Sequence, residues 1–88
     1  MSEQELQSKC IKYAKTKGWF VLKVIRCNIS GYPDCTLFKE GQTIFVEFKA
    51  EKGVQSELQK YVEKQLINQG FKYYLIKNLE KFKEIVAD

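Results

Sequence analysis

An α/β fold of one mixed layer, with elements in the order αβββαβα and helices flanking a mixed sheet, is the class this sequence predicts. Three observations carry it. Apolar residues recur at helical spacing in three stretches, and runs rich in aromatic and β-branched residues occupy four others. Glycine, proline or asparagine punctuates most of the junctions between them. The chain has 88 residues, enough for one packed core and too few for two, so a single domain over 1–88 is expected.

The first helix is expected from Ser2 to Lys17, where Leu6, Cys10, Tyr13 and Ala14 share a face, Ser2 is a good N-cap and Gly18 a stop. A strand then runs from Trp19 to Arg26, and CNISGYP supplies turn chemistry. Asp34–Phe38 and Thr43–Ala50 pair as a hairpin about a turn at Lys39–Gln42 built on Gly41. After the loop EKGVQ, Ser56 caps a helix reaching Gln69, with Leu58, Tyr61, Val62, Gln65 and Leu66 expected on its inner face and Gly70 ending it. Phe71–Lys77 is the last strand, expected to run parallel to an earlier one because the crossover is long enough for a right-handed unit. Asn78 caps a final helix whose Leu79, Phe82, Ile85 and Val86 share one face. There is no internal repeat and no low-complexity tract.

Lys and Arg number 15 against 11 acids, a formal charge of +4, which favours a polyanionic partner without specifying one. Cys10, Cys27 and Cys35 have no C-x-x-C spacing and the chain lacks histidine, so a structural zinc site is not expected and buried or incidental thiols are. The polar start MSEQELQSK lacks the apolar core of a leader peptide, and no window has the length of a membrane span, so an intracellular, cytoplasmic protein is expected. A core this small gains from added burial. Trp19, Phe20, Tyr13, Phe71, Tyr73 and Tyr74 are many aromatics to hide, so a homodimer is expected.

The chemistry gathers on TIFVEFKA. Side chains alternate along a strand, so Thr43, Phe45, Glu47 and Lys49 face one way and Ile44, Val46, Phe48 and Ala50 the other, the obvious core side. Glu47 and Lys49 are thus neighbours roughly 6–7 Å apart along the strand. Asp34, directly after Pro33, approaches Glu47 if the hairpin pairs as expected, with the register open. Two converging carboxylates repel unless a cation lies between them, and hard oxygen ligands suit Mg²⁺ or Mn²⁺. Helical spacing from Glu3 reaches Leu6 and Cys10, so Glu3 is expected to face inward and Glu5 to face water. Taken singly, each residue has a plainer explanation: a solvated Glu47–Lys49 ion pair, a turn acid at Asp34, and at Glu3 an acid complementing a helix dipole.

Taken together, P-D, a hairpin and E-x-K on an apolar strand resemble the PD-(D/E)XK nuclease superfamily, with its restriction-endonuclease-like core. The remainder resembles that superfamily's VRR-NUC branch, the virus-type replication and repair nucleases. EQELQ, GW, GYPDCTLF, FVEFKAEKG, SELQ and QGFKYYLI follow in the branch's order and approximate spacing. The resemblance implies a metal-dependent endonuclease acting on DNA, with Asp34 and Glu47 as ligands of Mg²⁺ or Mn²⁺, Glu3 as the helix acid and the Phe48 backbone carbonyl as a further ligand. It implies that Lys49 contacts the attacking water or the scissile phosphate, and it places Gln59 among the catalytic residues. Lys9, Lys12, Lys15, Lys17, Lys23, Arg26, Lys52, Lys60 and Lys64 are available to hold a DNA backbone, the plainer reading of most being solvated helix faces. Without a helix-turn-helix or zinc finger, selection is expected for DNA shape or junctions, including Holliday junctions, which a two-fold dimer suits. The competing expectation is an inactive basic DNA-binding or protein-interaction module on the same fold.

Overall fold

The computed structural model describes residues 1–87. Helix α1 (Glu3–Thr16) leads into strands β1 (Phe20–Lys23), β2 (Cys35–Lys39) and β3 (Gln42–Phe48), followed by α2 (Glu57–Asn68), β4 (Lys72–Ile76) and α3 (Leu79–Val86). The order is the αβββαβα expected. One sheet runs β1-β2-β3-β4, antiparallel from β1 to β3 and parallel between β3 and β4.

Local chemistry sets the boundaries. Ser2 and Ser56 each close a capping box, with Glu5 and Gln59 as the reciprocating side chains. Asn78 caps α3 through the Lys81 N–H. The β2–β3 turn carries positive φ at Glu40 (48°) and Gly41 (83°), the conformation a tight two-residue hairpin requires. Strand β1 is shorter than the expected Trp19–Arg26. Its last ladder partner is Cys35, and just upstream Pro33 has no N–H with which to extend β2 backward. One further bond, Val24 N–H to the Asp34 carbonyl at 2.8 Å, closes the pairing. The chain then leaves the sheet.

Alternation divides β2 and β3 between two faces. Cys35, Leu37, Ile44, Val46 and Phe48 pack with Leu6, Cys10 and Ala14 of α1 and with Phe82 and Val86 of α3 to form the main core. The Trp19 indole N–H, buried there, donates to the Val86 carbonyl at 3.2 Å. Cys10 and Cys35 lie in this core, where burial pushes their thiols up to about 12 and about 11. They remain protonated, as buried hydrophobes do. Cys27 is exposed.

The opposite face is only partly covered. Helix α2 lies on it, turning Val62 inward with Gln59, Glu63 and Leu66 half-buried, whereas Leu58 and Tyr61 are exposed. This corrects the expected inner face. The sheet below presents Glu47 and Tyr73, so the helix meets it with polar as well as apolar side chains. Of the aromatics expected to crowd the surface, Trp19 and Tyr73 are buried, Tyr13 and Tyr74 pack against the core, and Phe20 and Phe71 stay exposed. Among the described residues no helix is long and apolar enough to cross a membrane.

Candidate active site

The register left open by the sequence is settled by the sheet. Cys35 stands opposite Val46, so the preceding Asp34 falls beside Glu47 as the strands part. Asp34 Oδ2 accepts the Phe48 backbone N–H at 2.8 Å, which locks its carboxylate across the end of β3. Glu47 is almost wholly buried. Its Oε2 accepts the Gln59 Nε2–H at 2.7 Å, and its Oε1 is buried with no hydrogen-bond partner. Lys49 Nζ stands 3.9 Å from Oε2, an ion pair too long for a hydrogen bond, so the ammonium keeps its donors.

Gln59 joins two devices. Its Oε1 accepts the Ser56 N–H at 2.8 Å, closing the α2 capping box, while its Nε2 holds Glu47. The amide is thereby oriented by the helix terminus, and the carboxylate by the amide. Gly31 seats the loop before Asp34 against the same turn: a Cβ there would lie 2.6 Å from the Leu58 carbonyl carbon and 2.8 Å from Gln59 N. Two further polar residues, which the pattern of acids and lysines did not mark, lie under α2. Gln55 Nε2 donates to Glu63 Oε1 at 3.1 Å and to the Tyr73 hydroxyl at 3.3 Å. Burial, then the Glu47 carboxylate, drives the Tyr73 phenol pKa upward. The available signal was strand alternation, which puts Tyr73 on the Glu47 side of the sheet.

Glu3 differs from expectation. It is exposed at the first turn of α1, as is Glu5, because the buried stripe begins only at Leu6. Among the described residues no three His, Cys, Asp or Glu side chains gather as a metal cluster. The Glu3 charge nevertheless helps to raise the pKa of both Asp34 and Glu47. The structure therefore brings Asp34, Glu47, Lys49 and Gln59 together and leaves Glu3 at the margin. At Phe48 the bond in place is the one its N–H makes to Asp34.

Burial, followed by repulsion from Asp34, pushes the Glu47 carboxyl up to about 8. Asp34 is also raised, first by burial, against the lowering effect of the Phe48 N–H. The two carboxylates thus oppose each other's ionisation, as close like charges do, and Glu47 is the one pushed furthest from its ordinary value. An orphaned carboxylate oxygen beside a second, fixed carboxylate is a donor set that suits a hard divalent cation.

The pH dependence follows from this shift. From the ordinary Glu value of 4.5 up to about 8, the folded state keeps a proton that the unfolded state has released, so stability falls as pH rises through that window and levels above it. Metal-free thermal melts should show this decline, and Glu47→Gln should flatten it. A melting temperature independent of pH across the window in the unmodified protein would contradict the buried assignment. Gln59→Leu removes the donor to Glu47 and half of the capping box. If Glu47 is a metal ligand, partners behind it are typically worth about 10–100-fold in affinity, and calorimetric Mn²⁺ affinity should drop by that factor with the fold retained.

A solved structure described as a VRR_NUC domain matches this chain with a TM-score of 0.85 and 20% identity, covering 97% of this chain and 94% of that one. No protein-family model matches the chain, and no curated protein does. The fold is thus that of the described VRR_NUC domain, with the mixed sheet and flanking helices expected from the sequence.

Proposed function

We propose that this protein is a metal-dependent endonuclease that hydrolyses DNA phosphodiester bonds in replication, repair or recombination. The observation that carries this reading is the unpartnered Oε1 of buried Glu47 beside Asp34. A buried carboxylate held so by structure alone would be a standing destabilisation, whereas a ligand waiting for Mg²⁺ or Mn²⁺ has a use for it. The described VRR_NUC domain of like fold supports the same direction.

In this reading Asp34 and Glu47 would hold the ion, with the Phe48 carbonyl as a further oxygen donor and Glu3 as the acid at the margin of the site. The bound ion would lower the pKa of a water and neutralise phosphate charge. Gln59 orients Glu47, and the Phe48 N–H orients Asp34. Lys49, 18% exposed at its side chain, offers a positive charge to the phosphate as negative charge develops, a role for a preorganised group. No side chain forms a covalent intermediate. The exposed lysines of α1 and α2 contact the DNA backbone and position it without reading sequence. A homodimer presenting two such sites would serve branched DNA, Holliday junctions included.

Linear, flap, bubble and four-way DNA should be incubated with Mg²⁺, with Mn²⁺ and with chelator. Metal-dependent cleavage that favours the branched forms is expected. No cleavage of any substrate in either metal would overturn the nuclease reading, and equal cleavage in chelator would overturn the metal.

A further inference from the structure

The segment that leaves β1 after Lys23 and returns at Asp34 borders an open, shallow cavity of about 640 Å³. Leu22, Ile25, Ile29 and Tyr32 line it together with Lys23 and Arg26, and no acid does. Ile25 is 83% exposed and Ile29 48%, so this apolar concavity is not core but surface open to an occupant. It is tied to the active site at both ends. Val24 N–H binds the Asp34 carbonyl, and Tyr32 lies two residues before Asp34. The Tyr32 ring is braced edge-on against Phe45 at 6.1 Å, and Phe45 is braced in turn by Phe71 at 5.5 Å. Phe45 shares the Glu47 face of β3.

Apolar walls, a fixed aromatic ring and two cations are the combination that binds a single nucleic-acid strand, base against ring and phosphate against cation. A base paired within a duplex is not available to such a cavity. Resting on the nuclease reading above, we propose that the cavity takes an unpaired nucleobase, stacked on Tyr32 beside Ile25 and Ile29, with Lys23 and Arg26 on the neighbouring phosphates. The strand so anchored passes Asp34. The cavity then favours DNA with an unpaired nucleotide beside the cleavage point over fully paired DNA.

The test is fluorescence anisotropy in chelator, using a labelled single strand, the same strand with abasic sugars, and its blunt duplex. The unmodified protein should bind the base-bearing strand more tightly than the abasic one. Tyr32→Ala should lose about tenfold on the base-bearing strand, since a base stacked on an aromatic ring is typically worth that much or more. Ile25→Ala/Ile29→Ala, which strips the apolar wall and leaves the ring, should lose several-fold on that strand and nothing on duplex. Should the double variant fail to fold, Ile25→Ala alone, at a position already exposed, gives the same reading with a smaller loss. Equal binding of base-bearing and abasic strands, or equal weakening on strand and duplex, overturns the proposal. So does a change from dimer to monomer in the double variant by light scattering, which would make this face a contact between copies. Cleavage assayed in parallel separates the two readings: base-dependent binding without cleavage defeats the nuclease, and cleavage without base dependence defeats the cavity.

Discussion

Glu47→Gln is expected to abolish metal-dependent cleavage while leaving the metal-free protein more stable at pH 8. The substitution preserves shape and the acceptor for Gln59, and it removes the buried charge whose pKa is pushed up to about 8. Partners behind a ligand commonly matter about 10–100-fold, so loss of the ligand itself should exceed that range. Asp34→Asn should behave alike in cleavage, and without metal its DNA affinity should hold or rise, because a negative charge near the phosphate path is gone. Lys49→Ala should separate the roles: metal still binds by calorimetry, but single-turnover cleavage falls by about 10²–10³, the range for removing one preorganised electrostatic donor. A Glu47→Gln protein that cleaves at the unmodified rate would remove Glu47 from the site. One that is destabilised at pH 8 would show that its carboxylate is satisfied in the fold.

Gly31→Ala should damage fold and site together. At φ +81° an L-residue pays roughly 1–2 kcal/mol, and its Cβ would press on the Leu58 and Gln59 backbone, an overpacking typically worth about 1–3 kcal/mol more. The sum is a large part of the roughly 4–13 kcal/mol available to a domain of this size. Relief requires the first turn of α2 to move away, carrying Gln59 from Glu47, so Mn²⁺ affinity should fall along with the denaturation midpoint. Gly41→Ala is the control. It has a similar φ of +83° and nothing within 4 Å of the added Cβ, so only the conformational cost applies and metal affinity is unchanged. Equal destabilisation by the two substitutions would mean that the Gly31 contact is not what holds the loop to α2.

Periodicity, caps and turn chemistry determined the element order and the core of α1, β3 and α3, because those signals are local and the main core is uniformly apolar. Strand alternation likewise put Glu47 and Lys49 on one face away from Phe48, and the GYPD segment marked Asp34. The inner face of α2 was not legible in the same way. An apolar stripe was expected, but the helix covers Glu47 and Tyr73, so Gln59 and Glu63 turn inward while Leu58 and Tyr61 do not. Which partner a helix meets is a nonlocal fact, and hydrophobic spacing assumes that the partner is apolar. Glu3 fell outside the pair for a related reason: helical phase shows direction but not how far up the helix burial begins. Only the tertiary structure decided the register that sets Asp34 beside Glu47, the Gln59 bond that leaves Oε1 alone, and the approach of Gly31 to α2. Each depends on distances between segments far apart in the chain, which packing and hydrogen bonding fix once the whole sheet has formed.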